Sequence, residues 1–518
     1  MPSRRIAAAT AALAAAALVS PLLLAGPAGA TGSPQSDAAR GDALAKKLVK
    51  EATGKGANNH LKVFQSIADY NNGTRVAGSK GHVQSAQYIE AVMRAAGYKV
   101  TRNEFDFVYV EALAEKLTVN GPAGRDVPIH LMTYTASGPE GGVTAQVAVA
   151  PVDADGTNGC EPGDFAAGAF TGKIALVKRG GCAFAVKQQN AAAAGAVGAV
   201  IYNNTDGALN GTLGDPAVGK VPTGGVTQAE GEKLAAEAAA GPVEVTLDIR
   251  ELRENRKTFN VVAETRGGDE NNTVFLGAHL DSVAAGPGIN DNGSGSAGIL
   301  QVAQRLASSQ SKIKNKVKFA WWSAEEFGLL GSEAYVAGLT DAEKKKIKLY
   351  LNFDMIASPN AAYFVYDGDD SDATGAGPGP EGSAQIERGI TGFLDSKNIP
   401  HEGTDFSGRS DYGPFIEVGI PSGGTFTGAE GIKTDAQAAK FGGQAGVAYD
   451  VNYHGKGDDI TNIDQKALDI NVDVIADAVG HYAHDLAPLT KPVVPQPSTP
   501  GTGSGGGLHE GHGHEVTQ

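Results

Sequence analysis

Before residue 100 the apolar positions recur at helical spacing three times. Residues 42–51 carry Leu44, Leu48 and Val49 on one side, and residues 61–70 form a second such run that stops at the turn Asn71-Asn72-Gly73. Residues 82–96 place Ala86, Ile89, Met93 and Ala96 on one face and end at Gly97, after which residues 98–107 alternate as a strand. From about 108 to 250 the pattern becomes Gly/Ala-rich, with a buried strand at 172–177, an alanine-rich helix ending at Gly195 and a strand at 199–202. From residue 260 strands and helices alternate: strands at 260–265, 272–278, 316–323, 348–354 and 362–366, with helices at 297–308 and 330–339 between them. That alternation predicts an α/β fold, a mixed and mostly parallel sheet with helices on both faces.

Composition changes this picture at the two ends. Arg4 and Arg5 precede an Ala/Leu-rich run over residues 6–25 and then Ala28-Gly29-Ala30, the charged start, apolar middle and small-residue cleavage site of a secretory signal. Cleavage after Ala30 and a secreted, extracellular protein are expected; Arg4-Arg5 alone does not separate Sec from twin-arginine export. No other run is apolar enough to span a bilayer, so no membrane attachment is expected after cleavage. From residue 491 the chain is rich in Pro, Ser, Thr and Gly, ends with His509, His512 and His514, and is expected to be a disordered tail. At 518 residues, 41% apolar and 19% charged, the chain suits two packed domains plus tails. A net charge of -15 without a basic patch argues against nucleic acid as a partner. The two cysteines, Cys160 and Cys182, are enough for one disulfide in an oxidising compartment.

The candidate chemistry lies at the predicted strand ends, where α/β sheets collect ligands. His279 stands in Gly277-Ala278-His279-Leu280-Asp281, Glu325-Glu326 follows Trp321 and Trp322, and Asp354 ends Asn352-Phe353-Asp354. Asp291 sits in the small-residue loop Gly288-Ile289-Asn290-Asp291-Asn292-Gly293, where backbone can approach ions closely and one carboxylate can bridge two cations. Asp281 is placed to hold the other ring nitrogen of His279. Of the adjacent acids, one can ligate while the other stays free as a base. His454, in Asn452-Tyr453-His454-Gly455, is the candidate for a second imidazole. Singly, each residue also reads as a solvated polar side chain, an ordinary turn or a helix cap; the coincidence of several strand ends favours a hydrolase built around two metals.

Two resemblances extend this reading. The run Arg179-Gly180-Gly181-Cys182-Ala183-Phe184, between a buried strand and an alanine-rich helix, resembles the protease-associated (PA) domain, a non-catalytic unit inserted in or appended to peptidases. The run 277–300, Phe319-Ala320-Trp321-Trp322-Ser323-Ala324-Glu325-Glu326 and Asn352-Phe353-Asp354-Met355-Ile356 resemble the secreted bacterial leucyl aminopeptidases of the co-catalytic di-zinc family. Together they imply a signal at 1–30, a peptidase domain over 42–110 and 251–488, a smaller β-rich PA domain over 111–250, and a tail over 489–518.

The aminopeptidase resemblance implies two zinc ions per chain: His279 and Asp354 on one, Glu326 and His454 on the other, and Asp291 between them. It makes Glu325 the general base, Tyr453 a donor to the oxyanion and Arg409 a residue that fixes substrate and intermediate. Met355 and Phe426 match positions lining the pocket for the first side chain, which favours Leu, Met or Phe. It further implies a calcium-binding pair at Asp469 and Asp473, although calcium's remaining oxygen ligands are not evident in the sequence. Relatives carry cysteines around the Tyr-His pair, where this chain has Asn452 and Gly457, so that loop lacks a staple. The expected partners are peptides with a free N-terminus, taken by a monomer. A carboxypeptidase of the same fold and an inactive receptor-like binding module are the alternative readings.

Overall fold

The computed structural model describes residues 35–493 apart from 123, 155 and 376. The expected signal over 1–30, with cleavage after Ala30, and the histidines of the tail lie outside the described residues. Three helices open the described chain, Asp37–Glu51, Gly54–Asp69 and Lys80–Ala95, and each starts before its apolar periodicity does. The reason is local: the side chains of Ser36, Thr53 and Ser79 accept from the backbone N–H of Ala39, Gly56 and His82, supplying partners that a helix start otherwise lacks.

The strand predicted at 98–107 is twice as long as its pattern suggested. Lys99–Val119 pairs antiparallel with Glu244–Glu264 along almost its whole length, from Lys99 opposite Glu264 to Val119 opposite Val245, with one irregularity between Ala112 and Ala114. This ribbon runs through both expected borders of the PA unit, 110/111 and 250/251, and its one irregularity lies opposite the second. Beyond it, Val143–Val149, Ile174–Lys178, Gly198–Tyr202 and Thr223–Val226 form a parallel run flanked by the helices Phe184–Ala193 and Gln228–Ala240. Ile174, Leu176, Val200, Leu234 and Leu247 fill its core. Cys160 and Cys182 form a disulfide there, their Cα atoms 5.9 Å apart. Beside it the buried Lys187 ammonium donates to the carbonyls of Asn158 and Gly180.

Below the ribbon lies the larger sheet. Asp269–His279 pairs in parallel with Asn315–Trp322 on one side and Ile347–Phe353 on the other, and the latter pairs in parallel with Ser422–Phe426. Glu244–Glu264 closes one flank antiparallel to Asn315–Trp322, and Phe364–Tyr366 runs antiparallel to Ser422–Phe426. This is the mixed, mostly parallel sheet expected. One face buries Leu276, Phe319 and Leu351 against the N-terminal helices, Gly295–Leu306 and Gln465–Tyr482; the other packs Phe275, Trp322 and Tyr350 against Val336 and Phe415. The packed chain continues past 488, because Ala487–Thr490 forms a 3-10 turn that buries Leu489 in the core.

Register sets the height of the chemistry. His279 lies opposite Trp322, and Gly277 lies opposite both Ala320 and Asn352, so three strands end at nearly one level. Gly277 cannot carry a side chain: a Cβ there would fall 2.1 Å from the Tyr350 hydroxyl and 2.3 Å from Trp322 Nε1. Those two groups are hydrogen-bonded to each other at 2.8 Å beneath the site.

Stability of the inserted unit should depend on its disulfide. Closing a 22-residue separation restricts the unfolded chain by on the order of 3 kcal/mol. Denaturant titration of Cys160→Ser/Cys182→Ser should therefore show an early transition that the oxidised protein lacks, and superimposable curves would refute the assignment.

Candidate metal centre

Three strand tips and two loops converge on one buried carboxylate. Asp291 presents Oδ1 to His279 Nε2 at 3.2 Å and Oδ2 to His454 Nε2 at 3.3 Å. Around the first imidazole stand Asp354 Oδ1 at 3.5 Å and Glu325 Oε2 at 3.7 Å; beside the second stands Glu326 Oε2 at 3.1 Å. Two sets of side chains thus place ligand atoms within 4.8 Å of one another, His279–Asp291–Asp354 and Asp291–Glu326–His454, joined through Asp291. Asp354 Oδ1 and Glu326 Oε1 are buried without any hydrogen-bond partner. Buried carboxylate oxygens are rarely left so, and atoms of this kind fit a bound cation.

A cavity of about 110 Å³ opens over these residues. Met355, Tyr366, Tyr412 and Phe426 line it, together with Arg409 and Tyr453. Arg409 donates to Glu430 at 2.8 Å and to the Tyr453 hydroxyl at 3.3 Å, and the Tyr453 ring stacks on His454 with centroids 3.9 Å apart. Strained backbone surrounds the centre: Ala324, Met355 and His454 all have positive φ, of 58°, 46° and 55°, as residues aimed for function often do. Asp469 and Asp473 lie elsewhere, on the helix Gln465–Tyr482, and Asp469 accepts from the Gly54 N–H at 2.7 Å.

Comparison with known proteins shows the family of the chain. Residues 260–479 match peptidase family M28 and residues 143–234 match the PA domain. The chain is 48% identical to "Leucine aminopeptidase 2" of Trichophyton tonsurans over 428 residues, 82% of this chain and 83% of that one. It belongs to peptidase family M28. Among solved structures, the aminopeptidase from Aneurinibacillus sp. strain AM-1 is 28% identical with a TM-score of 0.61, covering 84% of this chain and 95% of its own. A zinc aminopeptidase from Bacillus subtilis is 26% identical with a TM-score of 0.57, covering 83% and 94%. The sequence relatives named are fungal and the solved structures bacterial. The likeness spans both, and the narrower bacterial grouping expected from the sequence is not supported.

One expected contact in this M28 centre is made by a different atom. His279 Nδ1 lies 3.2 Å from the backbone carbonyl of Asp281, whereas the Asp281 carboxylate is 3.8 Å away and accepts instead from the Glu325 N–H at 3.3 Å. Past the strand end at His279 the chain presents the Asp281 carbonyl to the ring and its side chain to the Glu325 N–H.

Several residues with evident roles escaped the sequence reading. Arg75, fully buried, donates from its guanidinium to the carbonyls of Leu280, Pro287 and Gly288, lacing the loop that leads to Asp291. Asp458 accepts from the N–H groups of Asn290 at 2.7 Å and Asp291 at 3.0 Å. Ser410 donates to Asp354 Oδ2 at 2.6 Å and accepts from Asn352 at 2.8 Å, and Asn352 in turn accepts from the Tyr350 hydroxyl at 3.1 Å. This chain of bonds fixes Asp354 with Oδ1 turned to the centre, as partners behind a metal ligand do. The one available signal was the run of acids and amides after His454; Arg75 and Ser410 had none.

Electrostatics follow from crowding. Burial opposes a charge on His279, but the Glu325 and Asp354 carboxylates outweigh it and raise the imidazole well above its usual range. His454 is pushed up to about 11, again against burial, by Asp291 and Glu326. Burial raises Asp291 while both imidazoles pull it down, and the imidazoles win. Burial and the neighbouring acids, Asp411 among them, hold Glu325 well above the carboxylate range. Behind these, burial lifts Asp281, Asp411 and Asp458 each to about 7.

These shifts make a sign-specific expectation for metal-free protein. Acids raised from 3.8 to about 7 on folding destabilise the folded state once they ionise, so the contribution of these three is full below pH 4 and is lost as pH rises towards 7. The histidines act in the same direction at higher pH, because their elevated folded values favour the protonated state. Chelator-treated protein should show a falling melting temperature between pH 5 and pH 8 that added zinc reverses. A melting temperature rising with pH in the metal-free state would contradict the assigned electrostatics.

Proposed function

We propose that this M28 chain is a zinc aminopeptidase that removes the N-terminal residue of peptides, preferring large apolar residues such as Leu, Met and Phe. The observation that carries the reading is Asp291 standing between two imidazoles, each with a further carboxylate beside it. His279 and Asp354 would hold one zinc, Glu326 and His454 the other, with Asp291 common to both. Bound there, two zinc ions supply the charge that acidifies water and polarises a carbonyl.

The protein's own groups do the rest. Glu325, its proton affinity raised by burial and neighbouring acids, is suited to take a proton from the attacking water and deliver it to the leaving amine. Tyr453 is kept protonated by burial, and its hydroxyl beside Arg409 is available to donate to the developing oxyanion. Met355 and Phe426 in the cavity wall favour an apolar first side chain. A carboxypeptidase would need cationic side chains for a terminal carboxylate; Arg409 is the one lysine or arginine lining the cavity, and it is paired with Glu430. An inactive module would be expected to have lost ligands, and all five side chains are here. Relatives named leucine aminopeptidase support the preference for leucine.

The reading extends to location and assembly. A signal-like N-terminus and a disulfide support export, and among the described residues no helix is long and apolar enough to cross a membrane. Since one chain provides every residue of the centre, the protein is proposed to act as a monomer. Calcium at Asp469 and Asp473 forms no part of the proposal, because no third metal-binding side chain joins that pair among the described residues.

Changing Glu325→Gln should lower kcat by roughly 10²- to 10⁴-fold while zinc content, measured by elemental analysis, stays at two per chain. Near-normal turnover would remove Glu325 from its role. The wild-type enzyme should cleave Leu-p-nitroanilide and leave the N-acetylated analogue intact; equal rates on both would exclude aminopeptidase action.

A further inference from the structure

The Glu325 and Glu326 side chains are directed by a short turn whose footing is unexpected. Ala324 has a left-handed φ of 58°, and the turn closes through Gly328 N–H and Leu329 N–H, which both donate to the Glu325 carbonyl, and Leu330 N–H, which donates to that of Ala324. The Glu325 carboxylate itself stands 3.7 Å from His279 Nε2, beyond hydrogen-bond range, so its direction depends on where the turn sits. The residue after the two acids is Phe327. Its ring packs against Phe107 at 5.3 Å between centroids with planes at 66°, and against Tyr109 at 5.4 Å with planes at 42°.

Phe107 and Tyr109 belong to Lys99–Val119, the strand that leaves the catalytic domain to carry the PA unit. Being two residues apart, they share one face of the strand and are buried, while Val108 between them points the other way and is 45% exposed. Tyr109 is further clamped: its hydroxyl donates to Glu111 at 2.7 Å, and the Arg256 guanidinium from the partner strand lies 3.3 Å over its ring. Val76 and Ala77, directly after the loop-lacing Arg75, complete the same apolar cluster together with Ala324. One aromatic floor therefore supports both the turn bearing Glu325 and Glu326 and the segment that ties down the Asp291 loop.

We infer that Phe107 and Tyr109, at the root of the ribbon that carries the PA unit, are positioning residues for the acid pair, acting through Phe327. The ribbon is thus part of the catalytic apparatus, in addition to being the stalk of the inserted unit. This rests on the aminopeptidase reading above. A ring removed from this floor leaves the substrate cavity unaltered but frees the turn, so the chemical step suffers more than binding. Displacements of about 1 Å at such a group cost as much as 10²-fold in rate.

The test is steady-state kinetics of the zinc-loaded, full-length secreted protein on Leu-p-nitroanilide. Phe327→Ala and Phe107→Ala should each lower kcat by roughly 10- to 100-fold with KM changed by less than about twofold, and the double variant should be little worse than either single one. Phe327→Leu, which restores apolar bulk, should recover much of the loss, and Val108→Ala on the opposite face should match the wild type. A folded Phe327→Ala enzyme with wild-type kcat would overturn the inference, as would losses appearing only in KM. Should the alanine variants fail to fold, the smaller-than-leucine changes Phe327→Val and Phe107→Val decide it by the same split: a kcat reduced at constant KM supports the footing, and an unchanged kcat overturns it. A wild-type enzyme inactive on the free amine would instead overturn the underlying aminopeptidase reading, which keeps the two failures distinct.

Discussion

Crowding of negative charge in a dry place is the constraint on which the rest of this structure depends. Asp291, Asp354, Glu325 and Glu326 meet at one spot, with Asp281 and Asp411 buried close behind. Two imidazoles offset part of this charge by flanking Asp291, yet Asp354 Oδ1 and Glu326 Oε1 still lack a hydrogen-bond partner. Such an arrangement is tolerable only with bound cations or bound protons, and the elevated proton affinities of the metal-free centre express the second option. In the proposed reading the same crowding favours a divalent metal and suits Glu325 to accept a proton.

Holding mutually repelling groups together requires a scaffold that does not yield, and it is assembled from three sources. The parallel strands place His279, the Glu325 turn and Asp354 at one level through their register. Loops then aim the side chains, and here the fastening is by backbone and buried polar bonds: Arg75 on the carbonyls of Leu280, Pro287 and Gly288, Asp458 on the N–H groups of Asn290 and Asp291, Ser410 on Asp354. Arg75 serves twice, since its buried positive charge also faces Asp281, Asp458, Asp291 and Glu326. The third source is the aromatic floor under Phe327, which belongs to the ribbon of the inserted unit. Around Tyr453 and His454 the loop is held by amide and carboxylate bonds: Asn452 donates to Asn462, and Asn462 donates to Asp450 and Asp458.

The sheet strands were readable because each carries its own alternation or buried run, and the metal-binding candidates because four stood at predicted strand ends. The helices begin two to seven residues before their apolar periodicity, since Ser36, Thr53 and Ser79 cap through a side-chain hydrogen bond that leaves no mark on that periodicity. The long ribbon was cut short for the opposite reason: its pattern weakens beyond Phe107, where half of the strand faces water, yet pairing with Glu244–Glu264 carries it on to Val119. Asp281 neighbours His279 as the spacing predicts, but through its carbonyl, because a two-residue spacing does not say whether carbonyl or carboxylate lies beside the ring.

By itself, then, the order of residues determined which segments become strands and helices, that carboxylates and imidazoles would gather at one edge of a parallel sheet, and that a peptidase chain is interrupted by a second unit. Those are properties of short stretches, written in local periodicity and in the chemistry of single motifs. Only the tertiary structure decided which oxygen of Asp291 faces which histidine, that Arg75 reaches a loop 205 residues away, that Ser410 orients Asp354, and that Phe107 supports the turn bearing Glu325. Each of these depends on directions and distances between segments remote in the chain, which close packing fixes and no local pattern records.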